Sequence, residues 1–182
     1  MGHEVSVRLF PTTGPRVRDH LQVRMIEALL ASLHPRWHAR LEVAVYRPVR
    51  GVIDVVLQDR ETSDLVAGEG HSVLTTVERQ LRWAGQKADS LPSANGWPWA
   101  DLHGDPRVSR LLLLRSCRAL HELVSTLPDT FRAAYPADTE AAVAALTTGR
   151  EPWPGAAIIW ADIDGAGTTI LRGLPRVLRG TS

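Results

Sequence analysis

Apolar residues change their period several times along the chain. From Arg18 to Leu33 they fall every three or four positions, at Leu21, Met25, Ile26, Leu29, Leu30 and Leu33. That spacing predicts one amphipathic helix. His34-Pro35 ends it, since a residue before proline avoids the α region. Leu41 to Tyr46 then alternates like a half-buried strand. Gly51 to Leu57 is a nearly continuous β-branched run, which predicts a strand buried on both faces. Leu65 to His71 reads as the returning strand of a hairpin around a polar turn at Asp59 to Ser63.

A second helix is expected from about Ser72 to Leu91, with Ser72 or Thr75 as its cap and a stripe of Val73, Val77, Leu81, Ala84, Ala88 and Leu91. Pro92 to Pro106 is the longest loop. Further strands are expected at Val108–Leu114 and Gly155–Ala161, and Thr168–Leu171 can pair beside the latter. Helices are expected at Cys117–Leu127, from Pro128, and at Ala137–Leu146, with Pro136 as a break. Strands flanked by helices in this order imply an α/β fold, a three-layer sandwich with a mixed central sheet. One domain spans 1–182: an N-terminal arm (1–16), a core (17–116) and C-terminal helices and strand (117–182).

Composition narrows this little. The 182 residues are 44% hydrophobic and 23% charged, ordinary values for a globular domain. A formal charge of +1 excludes a strong global pull toward nucleic acid or an acidic membrane. Lys87 is the only lysine and Cys117 the only cysteine, so no intrachain disulfide forms and a reducing, cytoplasmic location is expected. No apolar run approaches a membrane span, and the start lacks the basic-then-apolar pattern of a secretory signal.

The candidate chemistry lies in the hairpin. A carboxylate inside an apolar strand is costly unless paired, hydrogen-bonded or metal-bound. The chain places two, Asp54 within Val-Ile-Asp-Val-Val-Leu and Glu69 within Leu-Val-Ala-Gly-Glu-Gly-His. Pairing of the two strands brings the acids onto neighbours, and His71, two beyond Glu69, shares its face. Asp54 and Glu69 are therefore candidate metal ligands with His71 as a third, a set suited to Mg²⁺ or, with a nitrogen, Mn²⁺. The bland reading makes Asp54 a bulge cap, pairs Glu69 with an arginine and leaves His71 exposed.

A helix, a strand with a lone Asp, a hairpin to Glu-x-(Lys or substitute) and another helix resemble the PD-(D/E)xK restriction-endonuclease-like superfamily. In that superfamily the two acids bind metal, and a Lys two residues beyond the Glu orients the attacking water. Asp54 and Glu69 match, 15 residues apart, but His71 stands in the lysine position. The nearer likeness is to the nuclease-like C-terminal domains of actinobacterial XRE (helix-turn-helix) regulators. It rests on Asp54-Val55-Val56-Leu57, on Gly68-Glu69-Gly70-His71-Ser72 leading to Glu78-Arg79-Gln80-Leu81-Arg82-Trp83, on Lys87-Ala88 and on Trp153-Pro154-Gly155-Ala156-Ala157-Ile158. No helix-turn-helix module precedes these segments, so a DNA-reading part is expected in a partner if anywhere.

The superfamily often directs a Glu or Gln from its first helix toward the site. Gln22, on the apolar face beside Ile26, is that candidate, with Asp19 second. Gln80 on the second helix is the other candidate side chain. Lys87 stands 16 residues beyond His71, roughly 24 Å of helix, and is expected outside the site with its stem along the helix surface. Arg79 and Arg82 are read as solvated or phosphate-touching. Trp97 and Trp99 are read as a loop clamp rather than base-stacking groups, Cys117 as a small buried hydrophobe, and His103 carries too little to use.

Two functions share this fold. One is a metal-dependent nuclease-like domain hydrolysing nucleic-acid phosphodiesters, with Asp54, Glu69, His71, Gln80 and Gln22 at its site and DNA as its partner. The other is a catalytically inactive regulatory or interaction module, binding a helix-turn-helix partner protein or a second copy of the chain.

Overall fold

The β-branched run beginning at Gly51 forms the second of six strands in one sheet. In this computed structural model residues 20–97, 99 and 105–178 are described. The expected arm at 1–16, Asp19 and His103 lie outside them. The chain runs α1 (His20–Ser32), β1 (Trp37–Val45), β2 (Gly51–Asp59), β3 (Asp64–His71) and α2 (Val77–Asp89). It continues through β4 (Arg107–Arg115), α3 (Arg118–Thr126), α4 (Pro128–Ala134), α5 (Thr139–Thr148), β5 (Ala157–Ile163) and β6 (Thr168–Ile170).

Strand order in the sheet follows chain order. β1, β2 and β3 make antiparallel hairpins, β3–β4 and β4–β5 are parallel, and β6 returns antiparallel to β5. Short loops, residues 46–50, 60–63 and 164–167, join the antiparallel pairs, whereas the parallel pairs need crossovers, which α2 and α3–α5 supply. One face of the sheet packs Met25, Ile26 and Leu29 of α1 and Ala142, Val143 and Leu146 of α5 over Val55, Leu57, Leu111, Leu113 and Ile159. The other packs Leu81 of α2, Leu120 of α3 and Phe131 of α4 over Leu112, Leu114, Ile158 and Trp160, continuing to Ile53, Val56 and Ala88. The fold is thus a mixed-sheet three-layer α/β sandwich.

Three local expectations need correcting. β1 starts four residues before Leu41, at Trp37, whose indole is buried and donates to the Ala145 carbonyl at 2.9 Å. α2 starts at Val77, not Ser72, and Val73 is 61% exposed rather than part of the stripe. Neither Ser72 nor Thr75 caps it: Thr76 holds the cap position without a side-chain cap bond. Gln80 substitutes, its Oε1 accepting from the backbone N–H groups of Thr75 and Thr76 at 3.1 Å each. The tryptophans of the long loop do clamp it. Trp97 and Trp99 meet edge-on with centroids 5.4 Å apart, Trp99 is buried, and the Arg40 guanidinium lies 4.7 Å from its ring.

α5 ends in a left-handed residue, Gly149 at φ 65°. A Cβ there would lie 2.2 Å from His34 Nδ1, on the loop that follows α1. Gly149→Ala therefore combines a strained backbone with a clash in packed surroundings. It is expected to cost about 2 kcal/mol or more, read as a lowered urea midpoint with an unchanged slope. An unchanged midpoint would mean that the α5 terminus relaxes freely.

Candidate functional site

β2 loses its alternation at Asp54. Val55 and Leu57 face the α1 side, yet Ile53 and Val56, three apart, pack together on the opposite side. Across the ladder, pairing runs Leu41 to Val55 and Val43 to Ile53, and between them Glu42 takes a positive φ of 52°. On its other side β2 pairs with β3 from Gln58–Leu65 up to Val55–Gly68. One step further, where Asp54 and Glu69 would face each other, the carboxylate takes over from the ladder: the Gly70 N–H donates to Asp54 Oδ2 at 3.0 Å. Asp54 Oδ2 also accepts from Gln22 Nε2 of α1 at 2.7 Å. This approach is close, because a Cβ on Gly70 would lie 3.3 Å from Gln22 Cγ. The candidate from the first helix thus reaches the acid, and Gln22 fixes its orientation.

Glu69 is met from the other layer. Lys87 Nζ lies 2.5 Å from Glu69 Oε2 and donates to the Val52 carbonyl at 2.9 Å. The expectation that Lys87 lies outside the site is wrong. Residues 72–76 are not helical, so the chain turns before α2 begins and the helix runs back over β2. Its rise is spent returning toward the strands, and distance along the chain does not measure distance in space. Lys87 is only 2% exposed, with its stem against Gly51, where an added Cβ would sit 2.9 Å from Lys87 Cδ.

These groups line one cleft of about 240 Å³, formed by Gln22, Asp54, Glu69, Gly70, His71, Gln80, Trp83, Ala84 and Lys87. All five candidate side chains border it, together with the lysine that sequence reasoning set aside. Asp54 and Glu69 are 5% and 6% exposed, so the charges form its floor rather than its rim. Burial pushes the His71 imidazole below its ordinary pKa, and Lys87 adds to that while Asp54 opposes it. The ring is therefore held toward its neutral form, able to accept a proton or a ligand bond.

Among the described residues, no three His, Cys, Asp or Glu side chains are grouped as a metal ion would need. The expected convergence of Asp54, Glu69 and His71 on one ion is not formed, since Gln22 and Gly70 hold Asp54 and Lys87 holds Glu69. Two buried carboxylates on adjacent strands still suit a hard divalent cation. Mg²⁺ commonly takes one or two carboxylates and leaves its other positions to water and phosphate oxygens.

Arg79 and Arg82 are exposed on α2, and Cys117 is half-buried beside the cluster under α3 and α4. No helix among the described residues is long and apolar enough to cross a membrane. No family model matches the chain, and no curated protein or solved structure matches it either.

Proposed function

We propose that this chain is a cytoplasmic, divalent-metal-dependent phosphodiester hydrolase of the restriction-endonuclease-like kind, acting on nucleic acid. The observation that carries the reading is the Lys87 ammonium 2.5 Å from Glu69, in the cleft that Asp54 also lines. An acid pair and a lysine are the three groups that the PD-(D/E)xK chemistry uses, here with the lysine delivered by α2 instead of β3.

Asp54 and Glu69 are the residues that would hold Mg²⁺ or Mn²⁺. The ion would polarise the phosphodiester and lower the pKa of an attacking water. Gln22 keeps the Asp54 carboxylate aimed into the cleft. Lys87 balances Glu69 while the cleft is empty of substrate, and with a phosphate bound its ammonium is placed to donate to the attacking water or a phosphoryl oxygen, where negative charge develops. His71, held toward neutrality, takes the proton that the water releases.

A second reading has its own support. The acids already have partners within the protein, and a phosphate track normally needs a basic surface that a net charge of +1 does not supply. An inactive module that uses the cleft to bind a partner protein fits those facts.

Calorimetric titration of Mn²⁺ into wild type and Asp54→Ala tests the first reading, with cleavage of plasmid and of a single-stranded DNA circle followed on the same samples. The hydrolase predicts binding by wild type, cleavage of at least one of the two substrates and loss of both binding and cleavage in the variant, with cleavage down at least ~10²-fold. A wild type that takes up no Mn²⁺ and leaves both substrates intact overturns the hydrolase reading and leaves the second one standing.

A further inference from the structure

Trp83 is 38% exposed and stands at the edge of the cleft, one helical turn before Lys87. Its ring is seated over the start of β2, because a Cβ on Gly51 would lie 3.7 Å from Trp83 Cζ2. The other exposed aromatic among the described residues, Tyr46, occupies the β1–β2 loop immediately before Gly51. That loop is fastened to the residue that caps α2 and to the short turn after it: the Ser93 hydroxyl accepts from the N–H groups of Tyr46 and Arg47, and the Ser90 hydroxyl from that of Val49. Within it the Arg50 guanidinium lies 5.9 Å from the Tyr46 ring centroid. An open indole and an arginine–tyrosine pair therefore flank the segment, Gly51 and Val52, against which Lys87 lies.

From these features we propose that the cleft takes single-stranded nucleic acid, with an unpaired base stacked on Trp83 and its neighbour held near Tyr46 and Arg50. The proposal rests on the hydrolase reading and names its substrate class. Two features favour a single strand over a duplex, the recessed floor and the open aromatic faces. The floor is recessed, with Asp54, Glu69 and Lys87 all 6% exposed or less. A phosphate has to enter the cleft to meet them, which a flexible strand does more readily than the outer edge of a rigid double helix. A near-neutral chain gains little from counterion release on either form. Stacking on aromatic faces supplies affinity that does not depend on net charge, and every base offers a π-face.

The test uses short oligothymidylate, oligouridylate and a duplex of mixed sequence, each with Ca²⁺ to hold the complex uncut. Binding is read by anisotropy and by quenching of indole fluorescence in wild type, Trp83→Ala and Trp83→Phe. Wild type is expected to bind a single strand more tightly than the duplex, the two oligomers showing which sugar it prefers. Trp83→Ala is expected to weaken single-strand binding about 5- to 100-fold, and Trp83→Phe to recover most of it. Equal affinity for strand and duplex, untouched by Trp83→Ala, overturns this proposal while Mn²⁺ binding and cleavage of the plasmid or the single-stranded circle still decide the hydrolase reading. An alanine variant that unfolds shows itself by its melting curve, and the phenylalanine variant then decides: a loss of single-strand preference with the ring retained also overturns the proposal.

Discussion

Replacing Lys87 by methionine, which keeps the length of the stem and removes the charge, is expected to lower phosphodiester hydrolysis by about 10²- to 10⁴-fold. The size follows from position: the ammonium stands at the floor of the cleft, 2.5 Å from Glu69, where water screens it poorly. Stability is expected to fall as well. Removing one member of a buried pair takes the Lys87 counter-charge from the Glu69 carboxylate, at a cost of about 3–5 kcal/mol. A drop in activity alone would not separate lost chemistry from a lost fold.

The double variant Lys87→Met with Glu69→Gln reads the fold alone. With both charges gone, the stability penalty is expected to shrink to roughly 1 kcal/mol, the scale of a single unsatisfied polar group. The chemistry is read on Lys87→Met itself, at a temperature where its melting curve shows it folded: hydrolysis is still expected to be down at least ~10²-fold. A folded Lys87→Met as active as wild type would remove Lys87 from the chemistry. Because Lys87 is the only lysine, lysine-labelled protein reports it as a single side-chain signal. That signal is expected to move when Mn²⁺ or Ca²⁺ is added, and to stay in place if the ion never reaches Glu69.

The sandwich was legible in the sequence because its strands carry their burial in their composition. Gly51–Leu57 and Val108–Leu114 lie between helices on both faces; the first is apolar at every position but Asp54, and the second is polar only at Ser109 and Arg110. The acids were legible for the converse reason: Asp54 and Glu69 each break an apolar run, and such a break is an energetic anomaly wherever the strand packs. Gln22 came instead from the resemblance, which implies a Glu or Gln on the first helix, together with its place on the apolar face of α1. Lys87 was the failure, although its signal was present. It sits in register with Ala84 and Ala88 on the apolar stripe of α2, as anomalous there as Asp54 is in β2. What misled was measuring along the chain. Where α2 turns is decided by residues 72–76, and no period announces that Val73 faces solvent while Leu74 is buried. The reversal in β2 at Asp54 was hidden for a similar reason, since it depends on the conformation of Glu42 in a neighbouring strand.

Asp59, whose polar surroundings predict a turn, is the 0%-exposed end of β2, and a second large effect is expected there. Arg36, from the turn between α1 and β1, grips it with both Nε and Nη2, the former at 2.8 Å. The Glu61 N–H and the Thr62 hydroxyl also donate to it, each at 2.9 Å. Burial alone would push the Asp59 carboxyl up, but these hydrogen bonds and the guanidinium charge outweigh it, and its pKa is lowered. A carboxyl with a lowered folded-state pKa stabilises the fold above its unfolded value, ~3.9, and loses that contribution as pH falls through the folded value. Arg36→Leu is expected to cost about 3–5 kcal/mol at neutral pH, because Asp59 then stays buried without its counter-charge. Acid should narrow the gap between the two proteins. Below about pH 4 wild type surrenders the Asp59 contribution while the variant is relieved by protonating a stranded carboxylate. Urea midpoints measured from neutrality into acid check this directly. A gap that stays constant across the range would assign the loss to the packing of the Arg36 stem and to the 3.2 Å bond that its Nη1 donates to the Gly149 carbonyl, rather than to the ion pair.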